Sequence, residues 1–114
     1  MNNIEIKVLK NNSAVAYPSG RLDVAISAEL EEQLIQAVEK NSIDHLVLNM
    51  KNVEYMSSSG FRVAIALLRK LSDKGGSLKI SNLKPAVKRI FDVIELTSLF
   101  EIFENEEEAL STIG

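Results

Sequence analysis

The chain has 114 residues, no cysteine and a formal net charge of −3 at pH 7. This length suits one domain with its own hydrophobic core, and a hydrophobic share of 46% beside a charged share of 25% is ordinary for a globular protein. The lack of cysteine excludes disulfides, thiolate metal sites and cysteine nucleophiles, and it suits a reducing compartment. The negative charge argues against a protein that binds duplex nucleic acid directly.

The sequence has no pattern typical of a membrane span or a signal peptide. No stretch approaches the ~20 apolar residues that a membrane span needs. The start of the chain, Met1-Asn2-Asn3-Ile4-Glu5, is polar and acidic where a signal peptide is basic and then apolar. We therefore predict a cytoplasmic protein with no membrane partner.

The first elements expected along the chain are two strands joined by a short turn. Residues 4–10 alternate between apolar and polar side chains, which is the period of a half-buried strand. The polar residues 11–13 interrupt this pattern, and residues 14–17 are typical of a second strand, so a β-hairpin is predicted. Pro18 lacks a backbone donor, so we expect the second strand to loosen or end there.

The next element is predicted to be a helix over residues 28–40. Ser27 is a favoured N-cap residue, and apolar side chains follow it at helical spacing. The first turns of this helix would then carry three acids, which the helix dipole favours at that end: Glu29, Glu31 and Glu32.

The remaining elements complete an alternating pattern of strands and helices. They are a strand over 45–50, a helix over 61–71 ended by glycines, a strand over 77–80, a helix over 85–94, a strand over 99–103 and a terminal helix capped by Asn105. The order ββαβαβαβα predicts an α/β fold, with a mixed sheet of about four to five strands packed against about four helices.

Few residues in the sequence are arranged for catalysis or metal binding. His45 is the single histidine of the chain, and no cysteine accompanies it, so it is interpreted as a strand residue. Glycine-rich phosphate loops, nucleophile elbows and paired carboxylates are absent from the sequence. Asp23 and Glu54 are isolated acids. We therefore expect a binding protein without catalytic residues, metal or cofactor.

The most distinctive segment is the serine turn, Ser57-Ser58-Ser59-Gly60, which lies between a short apolar segment and the most apolar helix. A serine is a favoured N-cap, so one hydroxyl is expected to accept a backbone N–H of the next helical turn. Three serines exceed what a cap needs, and a helix N-terminus also suits a phosphate. The residues alone leave both readings open: a helix cap, or a site switched by phosphorylation.

The charges of the chain are unevenly distributed. Residues 62–89 hold eight basic residues and one acid, whereas five glutamates and no basic residue follow from Glu101 onward. One interpretation is two solvated faces of opposite sign. The other is a basic surface that helps to dock an acidic or phosphate-bearing partner.

Three segments in order resemble one family. Residues 20–23 resemble the Gly-x-Leu-Asp that follows its second strand, and residues 46–60 resemble its central strand and its Asp-Ser-Ser/Thr-Gly motif. Residues 85–92 resemble a late helix of its sporulation-type members. Together they resemble a STAS domain, specifically the single-domain anti-sigma-factor antagonists of bacteria, over nearly the whole chain. We accordingly expect residues 1–114 to form a single STAS domain.

The resemblance implies a partner-switching function. Such antagonists bind, when unphosphorylated, an anti-sigma factor that is also an ATP-dependent serine kinase, and so release the sigma factor. The kinase phosphorylates a serine of the motif, the antagonist dissociates, and a serine phosphatase resets it. The phosphorylated serine of the motif falls on Ser58, the next position on Ser59 and the motif glycine on Gly60, and Asp23 matches an aspartate near the same surface.

This chain departs from the family pattern at two positions. The motif's aspartate is replaced by Ser57, which removes a carboxylate beside the acceptor hydroxyl. Arg62 replaces the small residue usual two places after the glycine, and it either hinders a kinase or holds the phosphate through a charge-assisted hydrogen bond. The predicted partner-binding residues are Asp23, Ser57, Ser58, Ser59, Gly60 and Arg62.

Two other functions stay open within the same fold. One is a STAS scaffold or stress-complex subunit that acts without phosphorylation, in which the serines only cap the helix. The other is a nucleotide-binding STAS domain.

Overall fold

The computed structural model of the protein describes residues 4–93 and 98–113. In chain order they form β1 (Glu5–Val8), β2 (Ser13–Tyr17), β3 (Ser19–Leu22), α1 (Val24–Lys40), β4 (His45–Asn49), β5 (Asn52–Met56), α2 (Ser58–Asp73), β6 (Ser77–Ser81), α3 (Pro85–Val93), β7 (Glu101–Phe103) and α4 (Glu106–Ser111). Five strands form a mixed sheet in the order β1-β2-β4-β6-β7. Strand β1 is antiparallel to β2, and the other neighbours are parallel. The predicted α/β fold is confirmed.

The hairpin predicted at the start of the chain is present. Strands β1 and β2 pair with Val8 opposite Ala14. Asn11 and Asn12, between them, both adopt positive φ angles, which asparagine tolerates better than most residues. Strand β2 ends directly before Pro18, as the missing backbone donor predicts.

The two faces of the main sheet carry separate hydrophobic clusters. Alternate side chains of one strand point to opposite faces, so Leu46 and Leu48 join the large core while Val47 points the other way. Helices α1, α2 and α3 contribute to the large core, and α4 covers the second face through Ala109. The central strands are buried on both sides, which explains their nearly unbroken apolar sequence.

Strands β3 and β5 form a second, two-stranded parallel sheet that was not predicted. Strand β3 is only four residues long and contains a glycine, so it has little of the apolar alternation by which a strand is recognised. Its pairing with β5 is irregular between Gly20 and Arg21 and then places Leu22 opposite Met56. This pair of strands leads directly into α1 and α2.

The predicted start of α1 was wrong. Asp23, not Ser27, is the N-cap, because its Oδ1 accepts the backbone N–H of Ile26 at 3.1 Å. Ser27 lies inside the helix and is only 1% exposed. The three glutamates predicted for the first turns therefore lie farther along, and the first turn of α1 contains no acid.

The later elements differ from prediction mainly at their ends. Asn105 caps α4 as predicted, since its Oδ1 accepts the N–H of Glu108 at 2.9 Å. Strand β7 is shorter than the predicted strand over 99–103. Helix α3 begins at Pro85 as expected, and Ile94, its predicted end, lies outside the described residues. Within residues 4–93 and 98–113, no helix is long and apolar enough to cross a membrane.

Two consecutive glycines connect α2 to β6, and glycine is favoured at each position for a different reason. Gly75 has φ +80°, the left-handed conformation that commonly ends a helix, and a Cβ there would meet open space. A Cβ on Gly76 would lie 1.8 Å from the carbonyl oxygen of Asp44, which accepts the N–H of Ser77 at 2.9 Å. The close approach at Gly76 therefore holds the start of β6 beside the start of β4.

Gly76→Ala is expected to destabilise the fold more than Gly75→Ala. The first variant forces a methyl group into the Asp44 backbone and should lower the free energy of unfolding by about 2–3 kcal/mol. The second adds only the cost of a left-handed alanine, about 1 kcal/mol. Urea titrations followed by circular dichroism measure both, and equal losses would contradict this account of Gly76.

A polar cluster connects α4 to the ends of β2 and β4. Glu106 Oε1 accepts hydrogen bonds from the Tyr17 hydroxyl at 2.7 Å and from Asn49 Nδ2 at 3.0 Å. Burial by itself raises the pKa of the Glu106 carboxyl, but these two hydrogen bonds and the nearby ammonium groups of Lys7 and Lys51 outweigh burial, so its pKa lies below the usual range. Burial and then the Glu106 carboxylate raise the pKa of the Tyr17 phenol.

Glu106→Gln is expected to make stability less sensitive to acid. Because the pKa of Glu106 is lower in the folded state than in the unfolded state, its stabilising contribution is present at neutral pH and is lost as the pH falls below about 5. The free energy of unfolding of the wild type should thus decrease more between pH 7 and pH 3 than that of the variant. Glu107→Gln, at an exposed neighbour, is the control and should follow the wild type.

Candidate functional site

The serine turn lies where the two-stranded sheet passes into two helices. Leu22 and Met56 are paired residues of the parallel strands β3 and β5. The next residue of each strand is the N-cap of a helix, Asp23 for α1 and Ser57 for α2. Asp23 and Ser57 therefore occupy neighbouring, equivalent positions, and the structure brings these two predicted site residues together.

The backbone of the serine turn is fixed to β3 through one carbonyl group. The Leu22 oxygen accepts the N–H of Ser57 at 3.0 Å and the Ser57 hydroxyl at 2.8 Å. The expectation that a serine hydroxyl would cap α2 was wrong, because Ser57 makes no side-chain cap bond and donates its hydroxyl to β3 instead. The Ser57 carbonyl still accepts the first helical N–H groups, from Gly60 at 3.0 Å and Phe61 at 3.3 Å.

Gly60 allows α2 to approach β3 closely. A Cβ at this position would lie 3.3 Å from the Leu22 Cβ and 3.3 Å from the Met56 Cε. Phe61 follows in the core, where its ring makes an edge-on contact with Phe91 of α3 at a centroid distance of 4.7 Å. The first turn of α2 is thus held on both sides, and its remaining face is open.

The other two serines of the turn differ in exposure. Ser58 is the first residue of α2 and is exposed, whereas Ser59 is partly buried. Within the described part of the chain, neither hydroxyl makes a hydrogen bond. Ser58 is therefore the serine of this turn whose hydroxyl is most available to another molecule.

Two arginines lie close to this surface. Arg62 is exposed and lies four residues after Ser58, so both side chains occupy the same face of α2 one turn apart. Arg21 of β3 stacks on the ring of Tyr55 in β5, with its guanidinium carbon 4.4 Å from the ring centroid. Sequence reasoning missed Arg21, because nothing in a single sequence indicated that β3 pairs with β5.

A groove opens on the Asp23 side of the turn. Its volume is about 360 Å³, and it lies between the end of β3 and the first turns of α1. Its walls combine apolar and polar side chains, and its charged residues are Arg21, Asp23 and Glu29.

The run of basic residues over 62–89 is partly neutralised by ion pairs. Four of its eight members are paired with acids in the pairs Lys70–Glu39, Lys74–Asp44, Lys79–Glu101 and Lys88–Asp92. Lys79 is also buried, on the face covered by α4. Arg62, another member of this run, is exposed one helical turn from Ser58.

The described residues contain no cluster of acids and histidine suited to a metal ion. His45 lies at the start of β4, where its Nδ1 and the Ser77 hydroxyl are 2.8 Å apart. Glu54 is exposed on β5. The position of His45 on β4 agrees with its interpretation as a strand residue.

Comparison with known proteins finds one matching family and several similar bacterial proteins. A family model described as STAS domain matches residues 3–109. The anti-sigma F factor antagonist of Paenibacillus polymyxa is 32% identical over 95 residues, which are 83% of this chain and 81% of that protein. The anti-sigma-B factor antagonist of Bacillus subtilis is 30% identical over 105 residues, 92% of this chain and 94% of that protein.

Solved structures agree with this fold. The anti-sigma factor antagonist SpoIIAA in its unphosphorylated form superimposes with a TM-score of 0.82 at 20% identity, over 97% of this chain and 96% of that chain. The phosphorylated form of the Bacillus SpoIIAA gives a TM-score of 0.74 at 19% identity, over 98% of this chain and 100% of that chain. The family model, the curated relatives and the fold agree, and the chain belongs to the STAS domain family, together with the bacterial anti-sigma factor antagonists.

Proposed function

We propose that this protein is an anti-sigma-factor antagonist that binds its partner around the serine turn. The observation that carries the proposal is the exposed, unbonded hydroxyl of Ser58 on a helix turn that is otherwise held rigidly by Leu22 and Gly60. Support also comes from the relatives named anti-sigma factor antagonists, which match most of the chain. In this proposal residues 1–114 act as one STAS domain in the cytoplasm and have no catalytic activity.

The proposed partner is an anti-sigma factor that is also a serine kinase. The unphosphorylated antagonist binds it and releases the sigma factor, and phosphorylation of Ser58 ends the binding until a serine phosphatase removes the phosphate. Among the three serines, Ser57 uses its hydroxyl on the Leu22 carbonyl and Ser59 is partly buried. Ser58 is therefore the acceptor that needs the least rearrangement of the turn.

A phosphate at Ser58 acts on binding through local charge. It brings nearly two negative charges and three acceptor oxygens to a surface that, in the unphosphorylated protein, meets the partner with a small neutral hydroxyl. If the partner cannot pair this charge, binding weakens because the phosphate must be desolvated or the surfaces must separate. A loss of about 3 kcal/mol is enough to weaken binding more than a hundredfold.

The two departures from the family motif change the surroundings of Ser58. Ser57 supplies no carboxylate, so the carboxylate that remains beside the turn is that of Asp23, whose Oδ1 already caps α1. Arg62 places a cation one turn from the acceptor. In the proposal, these residues and Gly60 form the partner-binding surface together with the serines.

Phosphorylation of Ser58 is tested with the anti-sigma-factor kinase from the same genome and ATP. Intact-mass spectrometry should show the gain of one phosphoryl group in the wild type and in Ser59→Ala, and no gain in Ser58→Ala. Ser58→Glu, which adds a negative charge, should bind the kinase about a hundredfold more weakly than the wild type in calorimetric titrations.

Other results of this experiment would identify the rival functions. Tight kinase binding without any mass gain would favour a scaffold that acts without phosphorylation, and a gain that survives Ser58→Ala would remove Ser58 from the switch. Binding of labelled GTP or ATP by the chain alone, without affinity for the kinase, would favour a nucleotide-binding STAS domain.

Ser57 and Ser58 are expected to contribute differently to stability. Ser57→Ala removes the hydroxyl that donates to the Leu22 carbonyl and should lower the free energy of unfolding by about 1 kcal/mol. Ser58→Ala removes an exposed hydroxyl without an internal partner and should leave stability unchanged within about 0.5 kcal/mol. Urea denaturation of both variants measures this difference, and a larger loss for Ser58→Ala would contradict its assignment as a surface acceptor.

A further inference from the structure

The first turns of α1 expose apolar side chains where charged ones would stabilise the helix. Val24 is 71% exposed and Ile26 is 38% exposed. Ala25 and Ala28 are exposed as well, while Ser27 points into the protein. We call Val24, Ala25, Ile26 and Ala28 the apolar turn. A helix N-terminus favours acidic side chains, yet the acids of α1 begin only at Glu29.

The apolar turn adjoins the serine turn. Val24 is the first residue of α1, and Ser58 is the first residue of α2. Val24 lies two positions after Leu22, Ser58 lies two positions after Met56, and Leu22 and Met56 are paired across β3 and β5. Packed helices have axes about 8–10 Å apart. A standard protein interface covers about 800 Å² on each partner, which corresponds to a disc of about 16 Å radius. A protein centred on Ser58 therefore covers Val24 too.

The composition of this area resembles the centre of a protein interface. The apolar turn continues through Ile26 into the groove beside it, which Ile4 and Leu30 also line. Charged side chains line the same groove, namely Arg21, Asp23 and Glu29. An apolar centre with a polar rim is the usual arrangement of a specific protein interface. The core does not explain Val24, because its side chain is largely in solvent.

We propose that the apolar turn is the hydrophobic centre of the anti-sigma-factor interface and that Val24 and Ile26 bury against apolar side chains of the partner. This inference rests on the proposed function and identifies the kind of surface that the partner presents opposite α1. It also explains why the phosphorylated chain would dissociate from the anti-sigma factor, since a phosphate on Ser58 brings charge to the edge of an apolar contact that excludes water. Residues outside the serine turn then determine which anti-sigma factor is bound.

The test compares two exposed valines with the same substitution. Unphosphorylated Val24→Ser should bind the kinase at least tenfold more weakly than the unphosphorylated wild type, because truncation of a buried apolar residue at an interface centre is costly. Val8 is 52% exposed and lies on β1 opposite Ala14, at the other end of β2 from the serine turn, so Val8→Ser is the matched control and should change the dissociation constant less than twofold.

Calorimetry adds a readout that a change in folding would not alter. Loss of apolar burial should make the heat-capacity change of binding less negative in Val24→Ser and leave it unchanged in Val8→Ser. Urea titration confirms that both variants are folded. Equal affinities of Val24→Ser and the wild type would overturn the inference while leaving the proposed function intact.

Two further outcomes also count against the inference. If sedimentation finds that the wild type self-associates and that Val24→Ser is monomeric, the apolar turn is covered by a second copy of this chain and not by the kinase. If the wild type does not bind the kinase at all, the proposed function itself fails, and the inference fails with it.

Discussion

The carbonyl oxygen of Leu22 is the point on which the geometry of the site depends. It accepts both the N–H and the hydroxyl of Ser57, so the end of β3 is bonded directly to the start of α2. The missing side chain at Gly60 lets the two segments approach closely enough for both bonds. Asp23 follows Leu22 in sequence, and the same junction therefore sets the start of α1. One backbone group thus positions two helix starts and the surface between them.

A surface held in this way is suited to a switch that works without a change of fold. The first turn of α2 is packed against β3 on one side, and Phe61 and Phe91 are in contact beneath it. In the proposed function, phosphorylation of the exposed Ser58 adds negative charge at a fixed position. The added charge weakens binding to the partner through desolvation and repulsion. A flexible turn would reorient the phosphate into water and lose part of this effect. In the proposed function, the fixed geometry of this turn therefore serves regulation as well as stability.

Sequence patterns predicted the strands and helices of the main sheet but not the arrangement around the site. Central strands such as β4 are recognised because they are apolar on both faces, and Asn105 was recognised as a cap because its local pattern is unambiguous. Strand β3 was missed because it is stabilised by its pairing with β5, which is distant in sequence. Ser27 was predicted as the cap because serine is a favoured N-cap residue before an apolar helical pattern, whereas the structure places the cap four residues earlier, at Asp23. The expectation that one serine hydroxyl of the turn caps α2 was wrong because the N-cap residue, Ser57, donates its hydroxyl to β3, whose position beside the turn depends on pairing between distant segments.

These misassignments have a common physical consequence. Once Asp23 is the cap, α1 gains a turn at its N-terminus, and three residues of that turn, Val24, Ala25 and Ile26, are exposed and apolar. The cap itself satisfies the N–H of Ile26, so the helix does not need acids in its first turn for its backbone bonds. The first turn of α1, where the helix dipole favours acidic residues, can therefore carry apolar residues that contact a partner. In the proposed function, regulation through Ser58 and recognition through α1 vary independently on one surface. A substitution at Val24 then changes the proposed contact with the partner and leaves the hydrogen bonds between Leu22 and Ser57 intact.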